Sequence, residues 1–219
     1  MIPNLIANPL SYLLRIPGLL LALSMHEFAH GFAAYKMGDN TAKYNGRLSL
    51  NPFSHLDPMG TLCLLLARFG WAKPVPINPY NFKNRRAGII TVSLAGPFMN
   101  FFLAFLSAAL YACAYRFINA PTLQAFLVTI LEESIYVNVG LGCFNLIPIP
   151  PLDGSKVLLE LLPYNYRNGM YQLERYASII LFVAVLSGIL NPLLSTMGNL
   201  VIEPINMLIG LIINGRIGF

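Results

Sequence analysis

His26-Glu27-Phe28-Ala29-His30 places two imidazoles four residues apart, with a carboxylate directly after the first. On a helix, positions four apart share one face about a turn apart, so both rings can point at a single ion. Glu27 stands where it can reach a water beside that ion. Two nitrogen ligands, a carboxylate base and an open coordination position make up a hydrolytic zinc site. The motif closes an apolar run that begins at Leu19. Burying a glutamate and two histidines in hydrocarbon costs several kcal/mol unless they are paired or metal-bound. The plainer alternative is a helix end whose polar residues meet lipid headgroups.

A third ligand candidate lies far downstream. Residues 144–154 read Phe-Asn-Leu-Ile-Pro-Ile-Pro-Pro-Leu-Asp-Gly, with three prolines within four positions. Prolines deny backbone donors and interrupt a helix, and broken helices at membrane depth line binding sites. Asp153, just past the break, either caps the helix that follows or completes a set with His26 and His30. A water in the fourth position would then make a tetrahedral catalytic zinc. Asn100, a polar residue within an apolar stretch, suits an inter-helix hydrogen bond or an active-site role. His55 is compatible with a place behind the ligands, a substrate contact or a solvated loop.

The elements that carry these residues are membrane elements. Of 219 residues, 56% are hydrophobic and 11% charged, and the mean hydropathy is +0.62. That composition points to a multi-pass membrane protein. The net charge of +5 does not indicate nucleic-acid binding, because the basic residues cluster between apolar runs. Apolar segments are expected at 10–35, 87–115, 134–162, 177–190 and 197–213. Pro17 is expected to delay the uninterrupted part of the first to Gly18. Residues 121–133 read as a surface helix or the early part of the next span, with Glu132 and Glu133 at an interface. Residues 134–162 are expected to break at the prolines.

Residues 36–86 are rich in Pro, Asn and Gly and hold eight of the 14 Lys and Arg. By the positive-inside rule this loop is cytoplasmic, as is the near end of the His/Glu helix. Alternating the sides then puts the N-terminus outside and the C-terminus inside. Asn45-Gly46 reads as a turn into a short strand over 47–50. Residues 59–69 read as a re-entrant or shallow helix. The N-terminus lacks the basic region and cleavage site of a removable signal peptide. Cys63, Cys113 and Cys143 have no metal-ligand or disulfide spacing and read as packing residues. The fold expected is an all-α multi-pass membrane helix bundle of about four to six membrane helices, with a small β-hairpin or re-entrant region after the first. It forms one domain over 1–219, with a core at 10–163 and accessory helices at 177–214.

The chain resembles the site-2 protease family of intramembrane zinc metallopeptidases over about residues 18–163. The resemblance rests on His26-Glu27-Phe28-Ala29-His30, on Asn51-Pro52 and His55 to Gly60, on Trp71 to Pro79, on Ala95-Gly96-Pro97 with Asn100, and on Asn145 to Gly154. It implies that His26, His30 and Asp153 bind one Zn²⁺ and that Glu27 is the base. It also implies that Asn145 helps hold substrate or the oxyanion. His55, Asn78 and Asn100 are further substrate or oxyanion candidates. The resemblance also implies a bundle whose active site lies inside the bilayer towards the cytoplasm. Transmembrane proteins are the substrates implied, the lipid bilayer is the medium, and homo-oligomers are compatible with it. The chain is expected to carry neither a PDZ insertion nor a nucleotide-sensing domain after the last span. A metal-ion transporter and a catalytically inactive helix-binding scaffold are the rival readings. Neither internal repeats nor additional intramembrane acids support transport, and Glu27 is present.

Overall fold

A computed structural model describes residues 9–60, 72–163 and 175–215. Among these residues there are seven α-helices and two short 3-10 turns. Helix α1 spans Pro9–Met37, the single turn α2 spans Thr41–Tyr44, α3 spans Arg85–Phe117 and α4 spans Pro121–Asn145. Three more follow: α5 over Asp153–Leu161, α6 over Ala177–Ser187 and α7 over Asn191–Ile213. Helices α3, α4 and α7 are long and apolar enough to cross a membrane. Helix α1 has 29 residues, which at about 1.5 Å each cover about 30 Å of hydrocarbon by length alone.

Helices α1, α3 and α4 pack on one another, α7 covers α3 and α4, and α5 leans on α3. The core between α3, α4 and α7 is built from Ala104, Ala108, Ile135, Val139, Cys143 and Ile205. Small residues permit this closeness. A Cβ on Gly18 would sit 3.1 Å from the Ser134 Cα, so α1 and α4 touch almost backbone to backbone. Helix α3 keeps its few polar residues inside, among small and apolar ones, and is apolar outside. Asn100 and Ser107 are buried, whereas Phe98, Phe102, Leu106 and Leu110 form an exposed stripe at four-residue spacing. An apolar outer face with polar groups kept inside is what a lipid surround selects.

Several sequence expectations change. No β-hairpin exists among the described residues: Arg47 to Leu50 form no strand, and an isolated antiparallel bridge joins Leu56 to Ala72. The reason lies in the facing stretch, where Pro74, Pro76 and Pro79 lack the N–H that a ladder requires. Pro17 does not delay the first helix, which runs through it from Pro9. Pro97 and Pro204 likewise lie inside helices. Residues 121–133 are the early part of the next span, the second of the two readings, so Glu132 and Glu133 lie inside one helix over Pro121–Asn145. Glu133 instead pairs with Arg15 of α1 at 2.8 Å. The expected break after Phe144 is present: α4 stops at Asn145 and α5 starts at Asp153. Cys113 and Cys143 are unpaired. Most of the expected re-entrant segment, with Cys63 and Trp71, lies outside the described residues.

Candidate metal centre

The centre forms where α1, α3 and the start of α5 meet. His26, His30 and Asp153 are all buried, at 5%, 7% and 6% exposure. Their facing atoms converge. His26 Nε2 and His30 Nε2 are 3.0 Å apart, and Asp153 Oδ2 lies 3.2 Å from the first and 3.1 Å from the second.

The hydrogen bonds behind the rings fix which nitrogens carry protons. His30 Nδ1 lies 2.7 Å from the Val92 carbonyl, which can only accept, so Nδ1–H donates and Nε2 presents a lone pair. For His26 the logic runs through Asn100. The Asn100 Nδ2 donates to the Ala22 carbonyl at 3.1 Å and to Asn138 Oδ1 at 3.1 Å. Its Oδ1 must then face His26 Nδ1, at 2.6 Å, and accept that proton. His26 Nε2 is thus also a lone pair. Two imidazole lone pairs and a carboxylate oxygen meet within 3.2 Å. A single proton could satisfy one pair of them, whereas a cation satisfies all three. With zinc bonds of about 2.0–2.2 Å, tetrahedral neighbours lie about 3.3–3.5 Å apart, a few tenths of an ångström from what is seen. The donor set therefore fits zinc.

The carboxylate does not cap its helix. Leu152 is the N-cap residue of α5 and no side chain caps it. Asp153 instead turns Oδ2 to the histidines and takes the Lys156 Nζ on Oδ1, at 2.9 Å. Gly154 makes this approach possible, because a Cβ there would fall 2.2 Å from the Leu146 carbonyl oxygen. Gly96 does the same on α3: its Cβ would lie 2.5–2.7 Å from ring atoms of both histidines.

A cavity of about 650 Å³ opens beside the centre, lined among others by Glu27, Val75, Phe144 and Asn145. Glu27 is half-buried, and its Oε2 accepts the Val75 N–H at 2.9 Å. Asn145 lines the cavity, and its Nδ2 donates back to the Leu141 carbonyl at 3.0 Å. Asn78 lies in the loop, where its Oδ1 accepts the Tyr80 N–H at 3.1 Å. His55 is fully buried away from the cavity, with Nε2 on the Ser49 carbonyl at 2.7 Å. Its other nitrogen has no partner among the described residues. The structure thus brings His26, Glu27, His30, Asn145 and Asp153 to one cavity, sets Asn100 behind His26, and leaves Asn78 and His55 in the loop.

Sequence reasoning missed the continuation of the polar chain. Asn138 Nδ2 donates to the Ser134 carbonyl at 2.9 Å, and the Ser134 and Ser107 hydroxyls are 3.0 Å apart. Its signal was available: Ser134 and Asn138 are polar residues four apart in an apolar helix. Replacing Asn100 with the similarly sized leucine strands the His26 Nδ1–H. Zinc affinity is expected to fall about 10–100-fold, measured by competition with a chromogenic chelator.

Comparison with known proteins agrees with the geometry. Residues 115–190 match the family model for Peptidase family M50. The chain is 44% identical over 168 residues to "Putative zinc metalloprotease YwhC" of Bacillus subtilis, covering 75% of this chain and 76% of that protein. It is 32% identical over 194 residues to "Putative zinc metalloprotease Rip2" of Mycolicibacterium smegmatis, covering 84% and 72%. No solved structure gives a significant match. With a histidine pair, an aspartate and a glutamate at one cavity among apolar helices, and with these relatives, the chain belongs to Peptidase family M50, the site-2 protease family of zinc metalloproteases.

Proposed function

We propose that the protein is an intramembrane zinc endopeptidase that cuts peptide bonds within or near transmembrane helices of other membrane proteins. The observation that carries this reading is the convergence of three lone pairs, from His26, His30 and Asp153, inside a bundle of membrane-length helices. When bound there, zinc supplies Lewis acidity that acidifies water and polarises a carbonyl.

The chain's own groups supply the rest. Glu27 uses Oε2 for the Val75 N–H, which leaves Oε1 to take the proton of the attacking water. It then hands that proton to the departing amide nitrogen. Asn100 and Val92 keep both imidazoles in the tautomer that presents Nε2. Asn145, at the cavity wall, serves the scissile carbonyl or the backbone beside it. Asn100 acts through His26, and Asn78 and His55 act through the loop that covers the cavity rather than on the substrate directly. A substrate helix must open its own amide hydrogen bonds before attack, so helix-breaking residues near the cut favour it. The whole chain acts as one integral membrane domain. The cluster of basic residues in the 36–86 loop favours a site towards the cytoplasm and an N-terminus outside.

The test is where the cut falls. The protein in phospholipid vesicles is given a single-span reporter helix with a central Asn-Pro break, and the products are mapped by mass. Cleavage at a bond inside the apolar segment is the expected result. Cuts confined to the water-soluble flanks, or none at all, overturn the proposal.

A further inference from the structure

We propose that Asp39 is a positioning residue for the base: by fixing residues 78–81 it holds the strap 73–79 across α1, so that the Val75 N–H stays on Glu27 Oε2. This rests on the reading of Glu27 as the base.

The strap is short and stiff. It reads Lys73-Pro-Val-Pro-Ile-Asn-Pro79, so only four of its seven residues have a backbone N–H. Three of those are committed to specific acceptors. Lys73 N–H donates to the His55 carbonyl at 2.9 Å, Val75 N–H to Glu27 at 2.9 Å and Asn78 N–H to Asp39 Oδ2 at 2.7 Å. Arg47 Nη2 grips the strap's first carbonyl, that of Lys73, at 2.6 Å. Val75 is buried against α1 at Gly31, where a Cβ would approach its Cγ1 to 3.2 Å. The middle of the strap thus rests on the base, and its two ends are tied down independently.

Asp39 is the tie at the second end. It is fully buried, and no lysine or arginine pairs with it among the described residues. Donors surround it instead. Oδ1 accepts the Thr41 N–H at 3.0 Å, the Thr41 hydroxyl and the Asn81 Nδ2 at 2.8 Å. Oδ2 accepts the Asn78 N–H. Gly38, at φ +110°, turns the chain out of α1 directly into this position, and Lys83 N–H closes onto the Met37 carbonyl at 3.1 Å. Burial alone would raise the Asp39 pKa, but the donors from Thr41, Asn78 and Asn81 hold it below the ordinary value. Because the folded value is lowered, the contribution of the latch is present above about pH 4. It is lost as the pH falls through the folded value. Two residues, Pro76 and Ile77, separate the latch from Val75, so a slack latch is felt at the base. A displacement of about 1 Å at a catalytic group can cost about 10²-fold.

The test uses the full chain in vesicles of phosphatidylethanolamine and phosphatidylglycerol, with the single-span Asn-Pro reporter. Asp39→Asn keeps the size of the side chain but replaces an acceptor oxygen with a donor. Val75→Pro removes the N–H that reaches Glu27 and suits a backbone already flanked by prolines. Both are expected to lower kcat by about tenfold or more. Zinc stoichiometry should be unchanged, and KM within about twofold of the parent. Amide exchange over 73–79 should quicken in Asp39→Asn. Full kcat in Val75→Pro overturns the proposal, as does loss of zinc in step with rate in Asp39→Asn. If Asp39→Asn is fully active while Glu27→Gln is dead, the latch fails and the base stands. If Glu27→Gln cleaves normally, the base itself is misassigned.

Discussion

Glu27→Gln will keep its zinc and lose its turnover. Glutamine has nearly the same shape, and its amide oxygen can still accept the Val75 N–H that now meets Oε2 at 2.9 Å. The proposed metal ligands are untouched, because His26 and His30 are oriented by Asn100 and Val92 rather than by Glu27. What disappears is a group able to take a proton from water and return it to a leaving amine. General acid–base groups contribute about 10²–10⁴ in rate, so reporter cleavage in vesicles should fall by at least that factor. Zinc per chain, measured by mass spectrometry of the metal, should stay at the parent value. A variant that still cleaves removes Glu27 from the mechanism. A variant that loses metal along with rate makes Glu27 a structural partner of the centre instead.

The cluster of His26, His30 and Asp153 that we propose as the ligand set was legible because each of its members obeys a local rule. His26 and His30 follow helical spacing, and Asp153 follows a proline break that only a site would justify at membrane depth. The choice between cap and ligand at Asp153 was not legible, since both use the same residue at the same place. It needed the distance to α1, which chain order does not contain. The proline at 17 misled for a physical reason. A proline commonly ends a helix in water, but a membrane helix tolerates a single one where neighbouring helices and side chains satisfy the freed backbone groups, so α1 runs on. The expected hairpin failed for the converse reason. Asn45-Gly46 does turn, with Gly46 at φ +64°, but the facing strap spends its few N–H groups on His55, Glu27 and Asp39 rather than on a ladder. Asp39 was invisible as a buried residue, because an acid in a polar loop reads as solvated until its donors are seen.

Gly96→Ala should disable the centre while leaving the bundle folded. The added methyl would stand 2.5 Å from His30 Nε2 and 2.6–2.7 Å from His26 Cε1 and Nε2, inside the contact distance of carbon with either atom type. The rings cannot easily retreat. His26 is bonded to Asn100 and His30 to the Val92 carbonyl, and both partners ride on α3, the helix that carries the new methyl. Relief therefore requires α3 to move away from α1 or the two tautomer-fixing bonds to break, and either spoils the convergence of lone pairs. A shift of about 1 Å costs about 10²-fold in turnover, and zinc affinity should fall with it. Helix propensity acts in the other direction, since alanine favours a helix by about 1 kcal/mol over glycine. Helicity and membrane insertion should therefore persist while chelator competition shows weakened metal binding and the reporter stays uncut. Parent-like zinc affinity in Gly96→Ala would mean that the imidazoles do not lie against α3, and the tautomer argument that makes His26, His30 and Asp153 a cation site would fall with that contact.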